Sequence, residues 1–247
     1  MTTGAMLPAT KVLENLANKF DLDIENVIIG NGSEGIMSAI IRTFLNINDE
    51  LISAEDSFIG FRVLANASGR KIHWVAMKNY RYDLNGIAEK INNQTKIIYL
   101  ANPDNPTGTY FNKTEFETFM SSVPERVLVI LDEAYYEFSC QIEDYPDSMQ
   151  YRFDNVITLR TFSKSYGLAG FRVGYGFAHH YLIENLMKVK LPFEPSWPPD
   201  CLSKDFFKRR LKRQERDWQN DRGKSFLVFK ASDVSLIGGI NINNIQR

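Results

Sequence analysis

The stretch TFSKSYGLAGFRVGYG, Thr161 to Gly176, decides how the chain is read. It carries one lysine, Lys164, between two serines, and an arginine, Arg172, eight residues on. Val156-Ile157-Thr158-Leu159 leads into it and Val173-Gly174-Tyr175-Gly176-Phe177 leads out. The pattern predicts a buried strand, a polar turn bearing the lysine, and a second strand. A lysine where a buried strand gives way to a polar turn is placed for partial desolvation, which suits an amine to condensation with a carbonyl. Read alone, the same residue is equally an exposed loop lysine, the commoner setting for that side chain.

Outward from this stretch the chain alternates. A first amphipathic helix is expected over residues 9–20, from Val12, Leu13, Leu16, Ala17 and Phe20 at helical spacing. Val27-Ile28-Ile29 is a short strand, followed by Gly30-Asn31-Gly32-Ser33-Glu34-Gly35 and a helical face of Ile36, Ile40, Ile41 and Phe44. Further strands are expected at Glu50–Ala54, Lys71–Met77, Lys96–Ala101, Val127–Leu131, Val156–Thr161 and Phe171–Phe177, with helices near 57–67, 83–92 and 113–122. Strands alternating with helices predict an α/β fold, a largely parallel sheet covered on both faces, with ligands gathering where strands end.

Composition narrows the classes. Hydrophobic content of 44% and charged content of 24% are those of a globular protein. With 29 basic and 30 acidic residues there is no whole-chain field to draw in nucleic acid or an anionic membrane. Cys140 and Cys201 form no CxxC pair, which points to a reducing compartment. The first twenty residues lack the apolar segment of a signal peptide, and no apolar run approaches the ~18 residues of a membrane span. A cytoplasmic location is therefore expected, with neither membrane nor nucleic acid as partner. His73, His179 and His180 lie outside every motif, so no metal is expected. Past Lys190, four of the nine prolines fall within residues 191–199, marking a boundary, and a basic segment runs from Lys204 to Arg216. A solvated helix face explains that segment more simply than nucleic-acid binding does. The tail from Ser232 is too short for a domain of its own.

Three motifs carry chemistry. Gly30-x-Gly32-x-x-Gly35 follows a strand, opens a helix and has Glu55 and Asp56 about twenty residues on, as a dinucleotide fingerprint requires. The same geometry suits any phosphate held by N–H groups at a helix N-terminus. Asn102-Pro103-Asp104-Asn105-Pro106-Thr107-Gly108 after Ile97-Ile98-Tyr99-Leu100 is a rigid polar loop at a strand end, or a plain turn. Val129-Ile130-Leu131-Asp132-Glu133-Ala134-Tyr135-Tyr136 delivers a carboxylate at a strand end, with Tyr135 three residues on. No G-x-x-x-x-G-K-[ST] accompanies it, so a Walker-type metal role is poorly supported. A desolvated carboxylate calls for a cation, and a protonated pyridine nitrogen is one.

Taken together, GNGSEG, Phe58 within DSFIGF, NPDNPTG, LDEAYYEF and TFSKSYGLAGFRVGYG resemble, in order and spacing, the fold-type-I pyridoxal-phosphate aminotransferases. Within these the set is most similar to the histidinol-phosphate aminotransferases, and KLPFEPS at residues 190–196 adds to that likeness. The resemblance implies an aspartate aminotransferase-like large domain with a mostly parallel seven-stranded sheet between helices. It implies pyridoxal 5'-phosphate as cofactor and transfer of an amino group between histidinol phosphate and 2-oxoglutarate in histidine biosynthesis. It also implies a small-molecule amino donor, a 2-oxo acid and a homodimer.

By the same resemblance Lys164 would hold the cofactor covalently and, once displaced by substrate, move the proton. Asp132 would pair with the ring nitrogen, Asn105 and Tyr135 would hydrogen-bond the ring's phenolic oxygen, and Phe58 would stack on the ring. Ser33, Glu34, Thr161, Ser163 and Arg172 would hold the phosphate. The family's N-terminal arm and its carboxylate-clamping arginine find no counterpart in the sequence, so a chain shortened at both ends is expected. Residues 1–190 would form the large domain and 191–247 a linker and small-domain remnant. Three other readings differ in their consequences. A cofactor-binding protein without turnover, or an aromatic amino acid aminotransferase, keeps the same motifs. A nucleotide-binding oxidoreductase rests on GNGSEG alone and leaves Lys164, Asp132 and Asn105 unexplained.

Overall fold

The computed structural model describes residues 7–189, 223–229 and 236–243. The proline-rich segment 191–199, the KLPFEPS stretch and the basic segment 204–216 lie outside the described residues. Contacts divide the chain into two compact groups, one comprising Glu25–Thr161 and Val173–Lys190, the other Met1–Ile24, Phe162–Arg172 and Leu191–Arg247.

The first group is built on a seven-stranded sheet. Its strands are β1 (Val27–Asn31), β2 (Glu50–Ala54), β3 (Lys71–Val75), β4 (Thr95–Ala101), β5 (Leu128–Asp132), β6 (Val156–Thr161) and β7 (Val173–Phe177), in the order β1-β7-β6-β5-β4-β2-β3. Strands β2 to β6 pair in parallel, whereas β7 runs antiparallel to both β6 and β1. The expected mostly parallel sheet is therefore present, with one reversed strand. The reversal follows from the β6–β7 connection, which contains no crossover helix to return the chain in the same direction.

Helices α2 (Gly32–Phe44), α3 (Ile59–Ala67) and α8 (His180–Lys188) cover one face, burying Ile36, Met37, Ile40, Phe61 and Ile183 against Ile97, Tyr99, Ile130 and Leu159. Helices α4 (Leu84–Glu89) and α5 (Lys113–Ser122) cover the other, where Ile87, Phe116 and Phe119 meet Ile98, Leu100, Val129 and Leu131. Burial on both faces is why β4 and β5 carry runs of adjacent apolar residues, IIYLA and LVIL, and do not alternate. Two short helices, α6 (Tyr136–Ser139) and α7 (Ser148–Tyr151), follow β5.

The second group, described by itself, contains α1 (Leu7–Phe20), the turn 162–172 and a hairpin of β8 (Gly223–Phe229) and antiparallel β9 (Leu236–Asn243). Sequence pattern alone predicts no strand in this tail.

At the opposite end of β2 from the motif residues, Glu50 is buried and accepts hydrogen bonds from Lys71 (2.9 Å) and Asn92 (2.7 Å), with His73 Nε2 at 2.7 Å. The Lys71, Asn92 and His73 hydrogen bonds hold its carboxyl down at about 2. A carboxylate whose folded value lies below its ordinary one contributes stability above about pH 4.5, and that contribution fades as pH falls toward 2. Acid unfolding of the wild type below pH 4.5 is thus expected to be steeper than that of a Glu50→Gln variant, as circular dichroism against pH would show.

Candidate functional site

Within the first group, register brings the strand ends that lead into the motifs to one end of the sheet. In the parallel strands Ala101 lies beside Asp132, and Asp132 beside Leu159. In the antiparallel part Gly30, Gly174 and Thr161 share a row. The ends of β1, β4, β5 and β6 therefore open on the same side, where the loops carry polar residues.

At the end of β1 the chain turns directly into α2 through Gly32, whose φ of +75° favours glycine. The N-cap residue Asn31 makes no side-chain hydrogen bond to the helix, so the capping role is left to something other than its own side chain. Ser33 is half-buried and Glu34 exposed. The approach of α2 to β7 is close: a Cβ built on Gly174 would lie 2.2 Å from the Ser33 nitrogen and 2.3 Å from the Gly32 carbonyl carbon. Both are backbone atoms and cannot swing aside. A Gly174→Ala variant is expected to lose about 1–3 kcal/mol by overpacking, a fall of several degrees in thermal midpoint measurable by calorimetry.

After β2, Phe58 presents a half-buried ring at the start of α3. Gly60 makes room for it, since an added Cβ would fall 2.5 Å from two ring carbons. After β4, Asn102 and Asp104 are buried. The Asn102 amide donates to the Phe111 carbonyl (3.2 Å) and its oxygen accepts the Phe111 N–H (3.0 Å). Asp104 accepts a 2.6 Å hydrogen bond from Ser57 Oγ, and Ser57 in turn lies 2.6 Å from the Tyr82 phenol, which accepts the Ala101 N–H at 3.0 Å. This relay ties the segment before Phe58 to the loop that bears Asn105. Asn105 Nδ2 donates to the Tyr135 hydroxyl at 3.4 Å, so two of the expected residues meet directly.

Asp132 ends β5 and is buried, 4% exposed. Its Oδ2 accepts the Tyr99 hydroxyl at 2.9 Å and its Oδ1 the Ala134 N–H at 3.2 Å. Burial first, then the Asp132 charge, push the Tyr99 phenol well above its ordinary range, so it stays a donor. The neighbouring Glu133 points elsewhere, to Arg160 of β6 at 2.7 Å. Thr161 is buried and donates its hydroxyl to the Val173 carbonyl at 3.2 Å.

Ser163, Lys164 and Arg172 belong to the other compact group. There the turn is closed by hydrogen bonds from Gly167 N–H to the Lys164 carbonyl (2.9 Å) and from Leu168 N–H to the Phe162 carbonyl (2.9 Å), with the Phe162 and Tyr166 rings 5.2 Å apart. Ser163 is half-buried and Lys164 exposed, as in the loop setting the sequence also allows. Arg172 is also exposed and sits at φ +56°.

Tyr99, the Ser57–Tyr82 relay and the Glu133–Arg160 pair are not among the residues expected from sequence. A phenol inside the aliphatic run IIYLA and an arginine inside VITLRT were signals, because each buried polar group requires a partner. His73 joins the Glu50 cluster, and the His179 and His180 rings lie 4.2 Å apart at a 41° tilt at the start of α8. Among the described residues no helix is long and apolar enough to cross a membrane.

The fold and sequence match known proteins. A histidinol-phosphate aminotransferase 2 of Carboxydothermus hydrogenoformans is 40% identical over 187 residues, 75% of this chain and 52% of that protein. A histidinol-phosphate aminotransferase of Macrococcus caseolyticus is 41% identical over 187 residues, 75% of this chain and 53% of that protein. The chain thus spans about half the length of the curated relatives it matches. Among solved structures, the histidinol-phosphate aminotransferase of Sinorhizobium meliloti in complex with pyridoxal-5'-phosphate superposes with a TM-score of 0.69 at 25% identity, covering 86% of this chain and 60% of that one. An aspartate aminotransferase of Thermus thermophilus shares the fold, with a TM-score of 0.66 at 19% identity over 85% of this chain and 62% of that one. Residues 6–197, most of the chain, match the sequence profile of the family described as aminotransferase class I and II, and to that family the chain belongs.

Proposed function

We propose that the chain is a pyridoxal 5'-phosphate-dependent aminotransferase acting on histidinol phosphate and 2-oxoglutarate, giving imidazole-acetol phosphate and glutamate in histidine biosynthesis. The observation that carries the reading is Asp132, a carboxylate 4% exposed at the end of a central strand, in a chain of this family. The donor set fits the cofactor. Asp132 offers a buried anion to a ring N–H, the N-terminus of α2, where Asn31 gives no side-chain cap, offers N–H groups to a phosphate, and Asn105 and Tyr135 offer paired donors to a phenolate.

When bound, the group supplies an aldehyde that condenses with amines and a ring that draws electrons from the substrate Cα. The residues of the chain do the rest. Lys164 Nζ would hold the group and, once freed, would move the proton between the substrate Cα and the cofactor's C4′ carbon, two atoms away across the nitrogen. Asp132 keeps the ring nitrogen protonated, and Tyr135 with Asn105 stabilises negative charge on the phenolic oxygen. Phe58 packs on the ring, while Ser33, Glu34, Thr161, Ser163 and Arg172 hold the phosphate. The same reading takes the chain as a cytoplasmic homodimer, with residues 1–190 as the cofactor domain.

A visible absorption spectrum recorded before and after adding histidinol phosphate tests this. A yellow protein whose band shifts to the pyridoxamine form with that donor is the expected result. A band that responds only to aromatic amino acids selects a related aminotransferase, and one that responds to no donor selects binding without turnover. A chain that stays colourless with excess pyridoxal phosphate overturns the reading.

A further inference from the structure

Tyr99 stands out as a polar group that the reaction as described does not use. It is fully buried in the middle of β4, level with Ile130 of β5, on the sheet face covered by α2 and α3. Its ring stacks on Phe61 of α3 with centroids 4.0 Å apart and planes 7° from parallel. That stack fixes the ring, and the hydroxyl at its tip reaches Asp132 Oδ2 at 2.9 Å. The other carboxylate oxygen accepts the Ala134 N–H at 3.2 Å. The carboxylate plane is thus held from both sides, by a phenol locked in the core and by the backbone of the turn that follows β5.

We infer that Tyr99 is a positioning residue for the cofactor's ring nitrogen: by donating to Asp132 Oδ2 it holds the carboxylate charged and aimed. The inference rests on the functional reading above, in which Asp132 meets that nitrogen. The physical reason is specific. A buried carboxylate short of donors escapes its desolvation by rotating or by taking a proton, and either removes the anion a pyridinium needs. Tyr99 prevents this without adding a cation that would compete with the ring for Asp132. A purely structural phenol would need a partner too, but any acceptor would satisfy it. Here the acceptor is the carboxylate assigned to the ring.

The test separates these two roles by changing the ligand instead of the protein. Pyridoxal phosphate and its 1-deaza analogue, in which C–H replaces the ring nitrogen, are titrated into the full chain and its Tyr99→Phe variant, with binding followed by absorbance. Phenylalanine keeps the stack on Phe61, and circular dichroism should show the fold unchanged. The variant is expected to bind pyridoxal phosphate about tenfold more weakly, the scale of one charge-assisted hydrogen bond. The analogue should bind both proteins within about twofold. In an Asp132→Asn background the same Tyr99→Phe change should alter pyridoxal phosphate binding by less than about twofold.

Equal losses for both ligands, no loss for either, or a variant that fails to fold would each overturn the positioning role. Wild-type chain that binds neither ligand overturns the functional reading and this inference with it. A wild type that binds while Tyr99→Phe is indistinguishable overturns the inference alone.

Discussion

Replacing Lys164 by alanine is expected to abolish amino transfer, lowering turnover by about 10⁴-fold or more, at the upper end of what a positioned acid–base group contributes. The size follows from two roles resting on one nitrogen. On the proposed reading the amine would hold the cofactor in place between turnovers and would also move the proton at the substrate Cα. Borohydride reduction followed by peptide mass analysis makes the prediction specific. Wild-type chain should carry reduced pyridoxal phosphate on the peptide containing Lys164, and the alanine variant should carry none there. A Lys188→Ala variant, whose exposed side chain pairs with Glu184 at 2.8 Å, should label as wild type. The same experiment sorts the competing readings. A nucleotide-binding oxidoreductase gives no adduct in either protein, and a binding protein without turnover gives the adduct but no spectral response to any donor. An alanine variant that retains covalent cofactor and activity would remove the centre of the functional reading.

What could be read from the sequence, and what could not, divides by the range of the interactions involved. The central strands β4 and β5 are legible because they are buried on both faces and carry runs of adjacent apolar residues, and the Asn105, Asp132 and Tyr135 motifs are legible because they follow those runs. The helix α8 escaped notice because its apolar positions Leu182, Ile183 and Leu186 follow directly on β7 without a turn signal. The hairpin of β8 and β9 escaped because glycines at 238 and 239 break the alternation that marks a strand. The site divides in the same way. Asp132, Asn105 and Tyr135 sit in local motifs. Their supports do not: Tyr99 lies 33 residues from Asp132, Ser57 lies 25 from Tyr82, and Glu133 lies 27 from Arg160. Sequence shows that a buried tyrosine or arginine needs a partner. Only the fold shows which.

Removing the cation from the Glu133–Arg160 pair should have the largest effect on stability. Both side chains are essentially inaccessible, at 0% and 1%, and Arg160 reaches Glu133 Oε2 through Nε at 2.8 Å and a terminal nitrogen at 2.7 Å. The guanidinium also packs 3.4 Å from the Tyr136 ring centroid and lies 3.3 Å from Asp147. Burial drives the Glu133 carboxyl upward and Arg160 opposes it, so Glu133 depends on that guanidinium for its charge. Burial works against the Arg160 charge as well, but the Glu133 carboxylate outweighs it. An Arg160→Leu variant therefore leaves a carboxylate in the core without its cation, a change that costs about 3–5 kcal/mol. Against a total stability of about 5–15 kcal/mol for a folded domain, that loss should shift the urea midpoint severely. Its pH dependence identifies the cause. A buried acid whose folded value is raised takes up a proton on folding, so it destabilises progressively as pH rises above about 4.5 and not below it. The deficit of Arg160→Leu relative to wild type should thus shrink toward pH 4.5 and widen toward neutrality. A Glu133→Leu/Arg160→Leu double variant, which buries no charge at this pair, should recover much of the loss. A deficit that is independent of pH and unrelieved in the double variant would mean that the arginine acts through its packing on Tyr136 and not through its charge.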